Sequence, residues 1–497
     1  MSAQWLNPRK LRERIVVTGV LMLETPTHIG NGDDEGLLDM PIHLDNYDGN
    51  PLLPGSSLAG ALRSYVNQYD EALAKALFGE VTSVDDGSGT NLSRTLESLL
   101  IVDDALGYVP ETRPRVELRD GVAIDPKTRT ADDAKKFDIE LLAAGTYFPL
   151  SFELCIREGE DQTALLQAFA VALDGLAQGK IALGKRKRRG FGRCRVDRWQ
   201  VQRFNMRTTQ GMLAWLRYDP IDQLKQIKQA PVPKDPQDIF ALLQVSSATV
   251  HPYICTVNAY FKLDGSLLIR SLPEALDDAD MVHLRSWRRD RDSYRQKSVL
   301  SGTSLAGALR ARALRIANTV GRRGESFLDD LFGYRVKDTA EEREQFKRGE
   351  NPLTASRLWV EETEVKEPEP LVQSRVKLDR FTGGSYPGAL FSQEAAWGKA
   401  ETRINVKLSL QAHVRAARQD AEIGLLLLLL KDLWSGDLPL GGESSVGRGR
   451  LAGEWATVTI GTTEWTFQTD EIGSLTISGG NPADLEQYIQ RFLEEVA

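Results

Sequence analysis

The segment HIGNGDDEGLLDMPIHLD, residues 28–45, holds the carboxylates of Asp33, Asp34, Glu35, Asp39 and Asp45. Carboxylates at that density can hold a hydrated divalent cation against a phosphate; a merely solvated acidic loop is the simpler alternative. Downstream, LPGSSLAGALR (53–63) sets the hydroxyls of Ser56 and Ser57 and the free N–H groups of a helix start together, an anion site by geometry, with a plain N-cap at Ser56 or Ser57 as the alternative. GKRKRRGFGR (184–193) places Lys185, Arg186, Lys187, Arg188 and Arg189 in an unbroken basic run between glycines. Glycines let backbone N–H groups approach phosphates and the basic side chains neutralise them, although a solvated basic turn would look the same. A Walker loop needs GxxxxGK followed by Ser or Thr, which this stretch lacks.

These motifs sit in a chain that repeats itself. SLAGALR occurs at 57–63 and again, without a mismatch, at 304–310. LFG at 77–79 returns at 331–333, VAID at 122–125 matches VKLD at 376–379, and LGKRKRRGFGR at 183–193 matches LGGESSVGRGR at 440–450. One domain is duplicated, over 10–202 and 250–460, with a linker at 203–249 and a C-terminal extension at 461–497. The glycine framework recurs in the second loop and the basic run does not, so the framework is architectural and the charge is an addition.

The elements that position the motifs are readable within each copy. RIVVTGVLML (14–23) is a β-branched first strand, and the LPGSSLAGALR segment opens a helix with Leu58, Leu62 and Tyr65 on its inner face. LSFELCI (150–156) alternates as a strand, and the stretch 161–179 is a second helix capped by Asp161 and ended by Gly179. After the basic loop, RCRVDRWQV returns as a strand. The second copy repeats the series, giving strand–helix–strand–strand–helix–strand, the ferredoxin-like order. The fold class expected is α+β: two tandem ferredoxin-like domains, each with a long insertion at about 80–148 and 335–403, and long insertions in compact folds are usually functional. NPADLEQYIQRFLEEVA at the C-terminus reads as an amphipathic helix with a proline near its start.

Composition narrows the function. The chain has 497 residues with 70 acidic and 62 basic side chains, a formal charge of −8, which argues against indiscriminate nucleic-acid binding but leaves room for a local basic groove. Its longest apolar block, Gly424 followed by six leucines, is far short of the roughly 20 residues a bilayer requires. No secretory signal is apparent at the N-terminus, and the scattered Cys155, Cys194 and Cys255 fit a reducing compartment, so a cytoplasmic location is expected. The five histidines are dispersed and form no Ser-His-Asp motif.

The acidic HIG…D segment, LPGSSLAGALR and GxGR, in that order, resemble the RAMP superfamily of CRISPR proteins, and in combination the backbone subunit of type III CRISPR interference complexes. Residues 116–146 are similar to that family's thumb hairpin, and the duplication is similar to fused two-copy forms. The resemblance covers nearly all of the first copy and, more loosely, the second. It implies a subunit that binds guide RNA, pairs it with a complementary target RNA, works with other subunits of the complex and meets no membrane. It further implies that the thumb displaces a nucleotide, and that an aspartate of the first loop supports cleavage dependent on a divalent ion, magnesium being the expected one. The matching aspartate is Asp39, which follows two leucines and precedes Met-Pro, a firmer setting than NGDDEG. RNA contact is expected from Ser56, Ser57, Arg63, the run Lys185 to Arg189, and, in the second copy, Ser304, Arg310, Arg448 and Arg450. Val122, Ile124, Val376 and Leu378 are the expected thumb wedges; packing against their own domain is the alternative.

In the second copy Asp280-Met281 matches Asp39-Met40, with Asp277 and Asp278 as competitors. The proline is missing, and 24 residues separate Asp280 from Ser304 against 18 between Asp39 and Ser57. The insertion RSWRRDRDSYRQK lies in that interval, and its Trp287 and Tyr294 suit either RNA stacking or an exposed ion-paired loop. Two further functions stay open: a non-catalytic RNA-binding scaffold, and a guide-processing endonuclease. The latter often relies on histidine, and neither glycine loop contains one.

Overall fold

The computed structural model describes residues 10–497 except 31, 33–39, 86–90, 110–113, 126–127, 129, 220–236, 274–277, 291–292, 322–323, 335–341, 343, 346–347, 349–353, 414 and 471–472. The strand Leu11–Leu23 is the hub of the first repeat. It pairs antiparallel with Cys194–Asn205 on one side and Tyr147–Arg157 on the other, and Leu100–Val102 pairs with the far side of the latter. The strand order is therefore 4-1-3-2, the ferredoxin-like arrangement. Leu150, Phe152, Leu154 and Ile156 are all buried, as their alternation requires.

The helix Gln162–Ala177 begins as its sequence demands, with the Asp161 carboxylate accepting from the backbone N–H groups of Thr163 and Ala164, and Gly179 leaves it with a φ of +67°. The helix Gly55–Tyr69 departs from expectation. Its N-cap position is Pro54, so Ser56 and Ser57 fall inside the first turn and neither caps it. Asp104, brought in by the neighbouring segment, accepts from Gly55 N at 2.6 Å instead. The inner face is Leu58, Leu62 and Tyr65, with Val66.

The second repeat builds the same sheet around Tyr253–Asp264, flanked by Arg450–Ile460 and Arg403–Gln411, with Leu358–Val360 and Thr363–Lys366 paired to the latter. This sheet is longer. Thr463–Thr469 and Leu475–Gly479 extend one edge, and Ser293–Leu300 and Arg285–Asp290 extend the other. The C-terminal helix Pro482–Val496, capped by Asn481, packs on the leucine-rich helix Ala416–Trp434. A Cβ at Gly424 would lie 2.1 Å from the Tyr488 carbonyl, so the leucine run carries its one glycine where the helices touch. The stretch 203–249 does more than tether: Ile239, Phe240 and Leu243 are buried in the first core. The molecule is α+β in both halves.

Candidate nucleic-acid interface and catalytic carboxylates

The two glycine loops share one backbone. In the first, Gly184, Arg186, Gly190 and Gly192 have φ of +78°, +55°, +87° and +77°; in the second, Gly441, Glu443, Gly447 and Gly449 have +75°, +60°, +89° and +78°. Each encloses a single 3-10 turn, Lys187–Arg189 and Ser444–Val446. A Cβ at Gly192 or Gly449 would sit 1.9 Å from the carbonyl of Leu183 or Leu440, so the last glycine of each loop is sterically required. The framework is architectural in both copies.

What the first loop does with its charge differs from a comb of phosphate ligands. Lys185 is exposed, and the Arg186 guanidinium lies 4.3 Å from the centre of the Phe137 ring on the thumb hairpin. Arg188 stands over Trp359 of the second repeat, and Arg189 donates to the carbonyls of Phe332 (3.0 Å) and Leu358 (3.2 Å). Burial, with Arg310 and its neighbours in the run adding like charge, brings the Arg189 pKa down to about 10. A Cβ at Gly302 would lie 2.1 Å from the Arg189 carbonyl. The loop of the first repeat thus sits on the helix start of the second. The two motifs expected to bind anions separately meet each other here, so Arg189 is committed to the protein joint.

The same joint absorbs the insertion of the second copy. RSWRRDRDSYRQK forms a β-hairpin, Arg285–Asp290 with Ser293–Leu300, rather than an exposed loop. Glu362, with a fully buried side chain, binds Arg119 of the first repeat (2.6 and 3.0 Å) and Arg288 of this hairpin. Glu117 accepts from Trp287 N at 2.9 Å, and the Tyr294 hydroxyl lies 2.9 Å from Met22 Sδ. The Trp287 backbone and the Tyr294 hydroxyl therefore make contacts at the joint.

The remaining expected RNA contacts divide. Ser56, Ser57, Arg63 and Arg450 are exposed, and Ser304 is half-buried on the occupied helix start. Arg310 is spent on Gly333 O and Asp329, and Arg448 is buried, bound to Glu443 (2.9 Å) and Gln373 (2.7 Å). Arg448 is thus a structural arginine: the GxGR pattern places its first arginine inward.

The thumbs are two antiparallel hairpins, Val116–Ile124 with Ala131–Leu142 and Glu369–Leu378 with Ser385–Trp397. Both turn on the same aspartate: Asp125 accepts from Thr128 N and Asp379 from Phe381 N. Val122, Ile124, Val376 and Leu378 are all exposed, so they do not pack into their own domain. Sequence reading missed Phe381, which is 99% exposed in the turn of the second hairpin. An aromatic inside the glycine-rich RFTGGSY was the available signal.

Asp39, with Asp33, Asp34 and Glu35, lies outside the described residues, as does Asp277. The residue after Asp39 is informative. Met40 bridges in parallel to Ile139 of the first thumb, and Met281 pairs in parallel with Gln393 at the matching place on the second. Met40 and Met281 therefore take equivalent positions at the thumb roots, and Asp280 directly precedes the second of them. Asp280 is exposed, and its Oδ2 accepts from Ser392 N (2.7 Å) and Ser392 Oγ (3.0 Å), which hold its carboxyl below the usual range. Asp45 is occupied otherwise, accepting from Tyr47 N and Asp48 N in its own turn.

Among the described residues no three His, Cys, Asp or Glu side chains converge as a metal cage. One anchored carboxylate at Asp280 suits magnesium, which usually takes one or two carboxylates and fills its shell with water and substrate phosphate. His28 lies against the first glycine loop, its carbonyl accepting from Lys185 N at 3.0 Å, but the residue is buried and burial lowers its pKa. Burial takes His283 further, to about 4. Both imidazoles are thereby held neutral and away from solvent. No helix among the described residues is long and apolar enough to cross a membrane.

Comparison with known proteins agrees with this geometry. The family model described as the RAMP superfamily matches residues 20–195 and 282–452, one region per sheet. The CRISPR system Cmr endoribonuclease Cmr4 of Pyrococcus furiosus is 43% identical over 61 residues, 12% of this chain. The matched stretch spans 21% of that relative's length.

Proposed function

Because this chain belongs to the RAMP superfamily and matches it in two regions, we propose that it is a two-station backbone subunit of a type III CRISPR ribonucleoprotein. It binds guide RNA and cleaves the paired target at each station in a metal-dependent manner. The observation that carries this reading is an arrangement built twice: the methionines that follow Asp39 and Asp280 in the sequence each pair in parallel at the root of a hairpin whose tip exposes apolar side chains. The partial likeness to a named endoribonuclease supports the chemistry.

Guide pairing supplies sequence specificity, so the protein needs backbone contacts and no base readout. The exposed Lys185, the half-buried Arg186 and Lys187, and the hydroxyls of Ser56 and Ser57 are the contacts for the guide backbone. The thumb wedges displace a target nucleotide, which brings its 2′-hydroxyl in line with the adjacent phosphorus. The 2′-hydroxyl gives up its proton to solvent as its oxygen bonds to phosphorus, the bond to the 5′ oxygen breaks, and that oxygen takes a proton from solvent, leaving a 2′,3′-cyclic phosphate and a 5′-hydroxyl. Asp280 in the second repeat and Asp39 in the first hold negative charge beside that phosphate, where a bound divalent ion would neutralise the developing charge. Products of a labelled complementary RNA, incubated with the assembled complex, test the reading. Magnesium-dependent bands that vanish in EDTA are expected; binding without any cleavage would leave a scaffold, and cleavage of the guide precursor in EDTA would indicate processing.

Removing Lys185, Arg186 and Lys187 by alanine substitution is expected to weaken guide binding regardless of guide sequence. With three phosphates contacted, the slope of log K against log salt should flatten by roughly 2. An unchanged slope would assign these side chains to the protein surface alone. Phe381→Ala is expected to cost about 1–3 kcal/mol of base stacking at the second station. The product of that station should fall while the other persists, and equal loss of both bands would count against a local role.

A further inference from the structure

We infer that Ser392 is the positioning residue of the second station, clasping Asp280 to the thumb so that carboxylate and wedge move as one body. The inference rests on the proposed cleavage at Asp280. Three hydrogen bonds form the clasp. Ser392 N and Oγ donate to Asp280 Oδ2, and Asp280 N donates to Ser392 Oγ at 3.1 Å. The two residues are 112 positions apart, and Ser392 lies on the thumb strand one residue before Gln393, the parallel partner of Met281. A carboxylate on an otherwise exposed loop thereby acquires the position of the hairpin that carries Phe381. Both oxygens of an unclasped aspartate would sample many directions, and in-line chemistry tolerates little of that.

The first repeat carries a different residue at the place of Ser392. Met40 bridges to Ile139, so Asp138 stands where Ser392 stands, and its cross-strand partner is Asp120 where the second repeat pairs Ser374 with Ser392. A carboxylate there cannot replace the serine hydroxyl as a donor to a second ionised carboxylate. The Asp120 carboxyl is raised by burial and by a hydrogen bond shared with Asp138. The clasp is a property of the second station, and its loss should leave the first untouched.

Ser392→Ala removes the hydroxyl and keeps the backbone donor at a half-buried position that alanine fills without strain. In the assembled complex, second-station cleavage should slow roughly 10–100-fold and its magnesium midpoint should rise, the scale seen when a ligand's supporting hydrogen bond is lost. Ser392→Thr, which retains the hydroxyl, should restore both quantities. Guide and target binding and the first-station product should not change. Asp280→Ala is run alongside. If it abolishes the second product while Ser392→Ala cleaves at the wild-type rate, the clasp has no positioning role and the proposed station stands. If alanine and threonine variants are equally slow, the hydroxyl is not the active element and the inference falls. If Asp280→Ala keeps the product, station and clasp fall together.

Discussion

Asp280→Ala in the assembled complex should erase one target-cleavage product, and Asp39→Ala another, with guide and target binding nearly unchanged. The expected loss is at least about a hundredfold at each site, because a metal-holding carboxylate contributes several kcal/mol to the charge balance of the transition state. Binding should survive because neither residue belongs to the basic loop or the core. Asp280 is exposed and hydrogen-bonded to Ser392, and the Met40 and Met281 pairings would remain in the variants. The two losses should be independent, since Met40 and Met281, the residues that follow the two aspartates, pair with different hairpins. Product lengths from an end-labelled target, read at saturating magnesium, check this directly. Persistence of the first band in Asp39→Ala would move attention to Asp33 and Asp34, because Asp45 already closes its own turn. Persistence of both bands in the double variant would reduce the protein to a scaffold.

The duplication, the strand alternation of 150–156 and the Asp161 cap were legible because each depends on neighbours in the chain. The exact match of SLAGALR and the recurring glycines were enough to align the two loops, whose backbone angles do agree. The fate of the side chains on those loops was not legible. Arg189 and Val446 occupy the same place in the same turn, yet one is bonded to the carbonyls of a neighbouring domain and the other is 60% exposed. The difference is the presence of a second repeat on one side only, a tertiary fact. Arg448 was read as an RNA contact for its charge, and its partner Gln373 is 75 residues away. Ser392 carried no signal at all, since its role requires Asp280 to be brought against it. Arg188 and Arg189 of the basic run are turned to the joint, so fewer of its charges face outward than the sequence suggests.

Glu362→Ala should destabilise the joint between the repeats by about 3 kcal/mol, near the lower end of what breaking a buried ion pair costs. The side chain is fully buried between Arg119 and Arg288, and its removal strands two guanidinium groups away from water. Glu117 stays 3.2 Å from Arg119, which keeps the loss from being larger. Burial alone would raise the Glu362 carboxyl, but Arg119 and Arg288 outweigh it and hold its pKa below the ordinary value. A depressed folded pKa contributes stability that is complete above the unfolded glutamate value of about 4.5 and is lost as pH falls through the folded one. The wild-type joint should therefore weaken only in acid, and Glu362→Ala should flatten that part of the profile. Replacing all three charges with apolar residues of similar volume, Glu362→Leu with Arg119→Met and Arg288→Met, should recover part of the loss, because the two arginines are no longer stranded, while Glu117 loses Arg119 but keeps its hydrogen bonds from Ser286 and Trp287 N. Urea unfolding of the full chain across pH, for the wild type and both variants, measures these differences. A single variant as stable as the wild type at neutral pH would mean that water reaches the arginines and the joint is held by the Arg189 loop. A triple variant no better than the single one would show that the ion network is needed for its geometry, the two stations being kept in register by the direction of its hydrogen bonds.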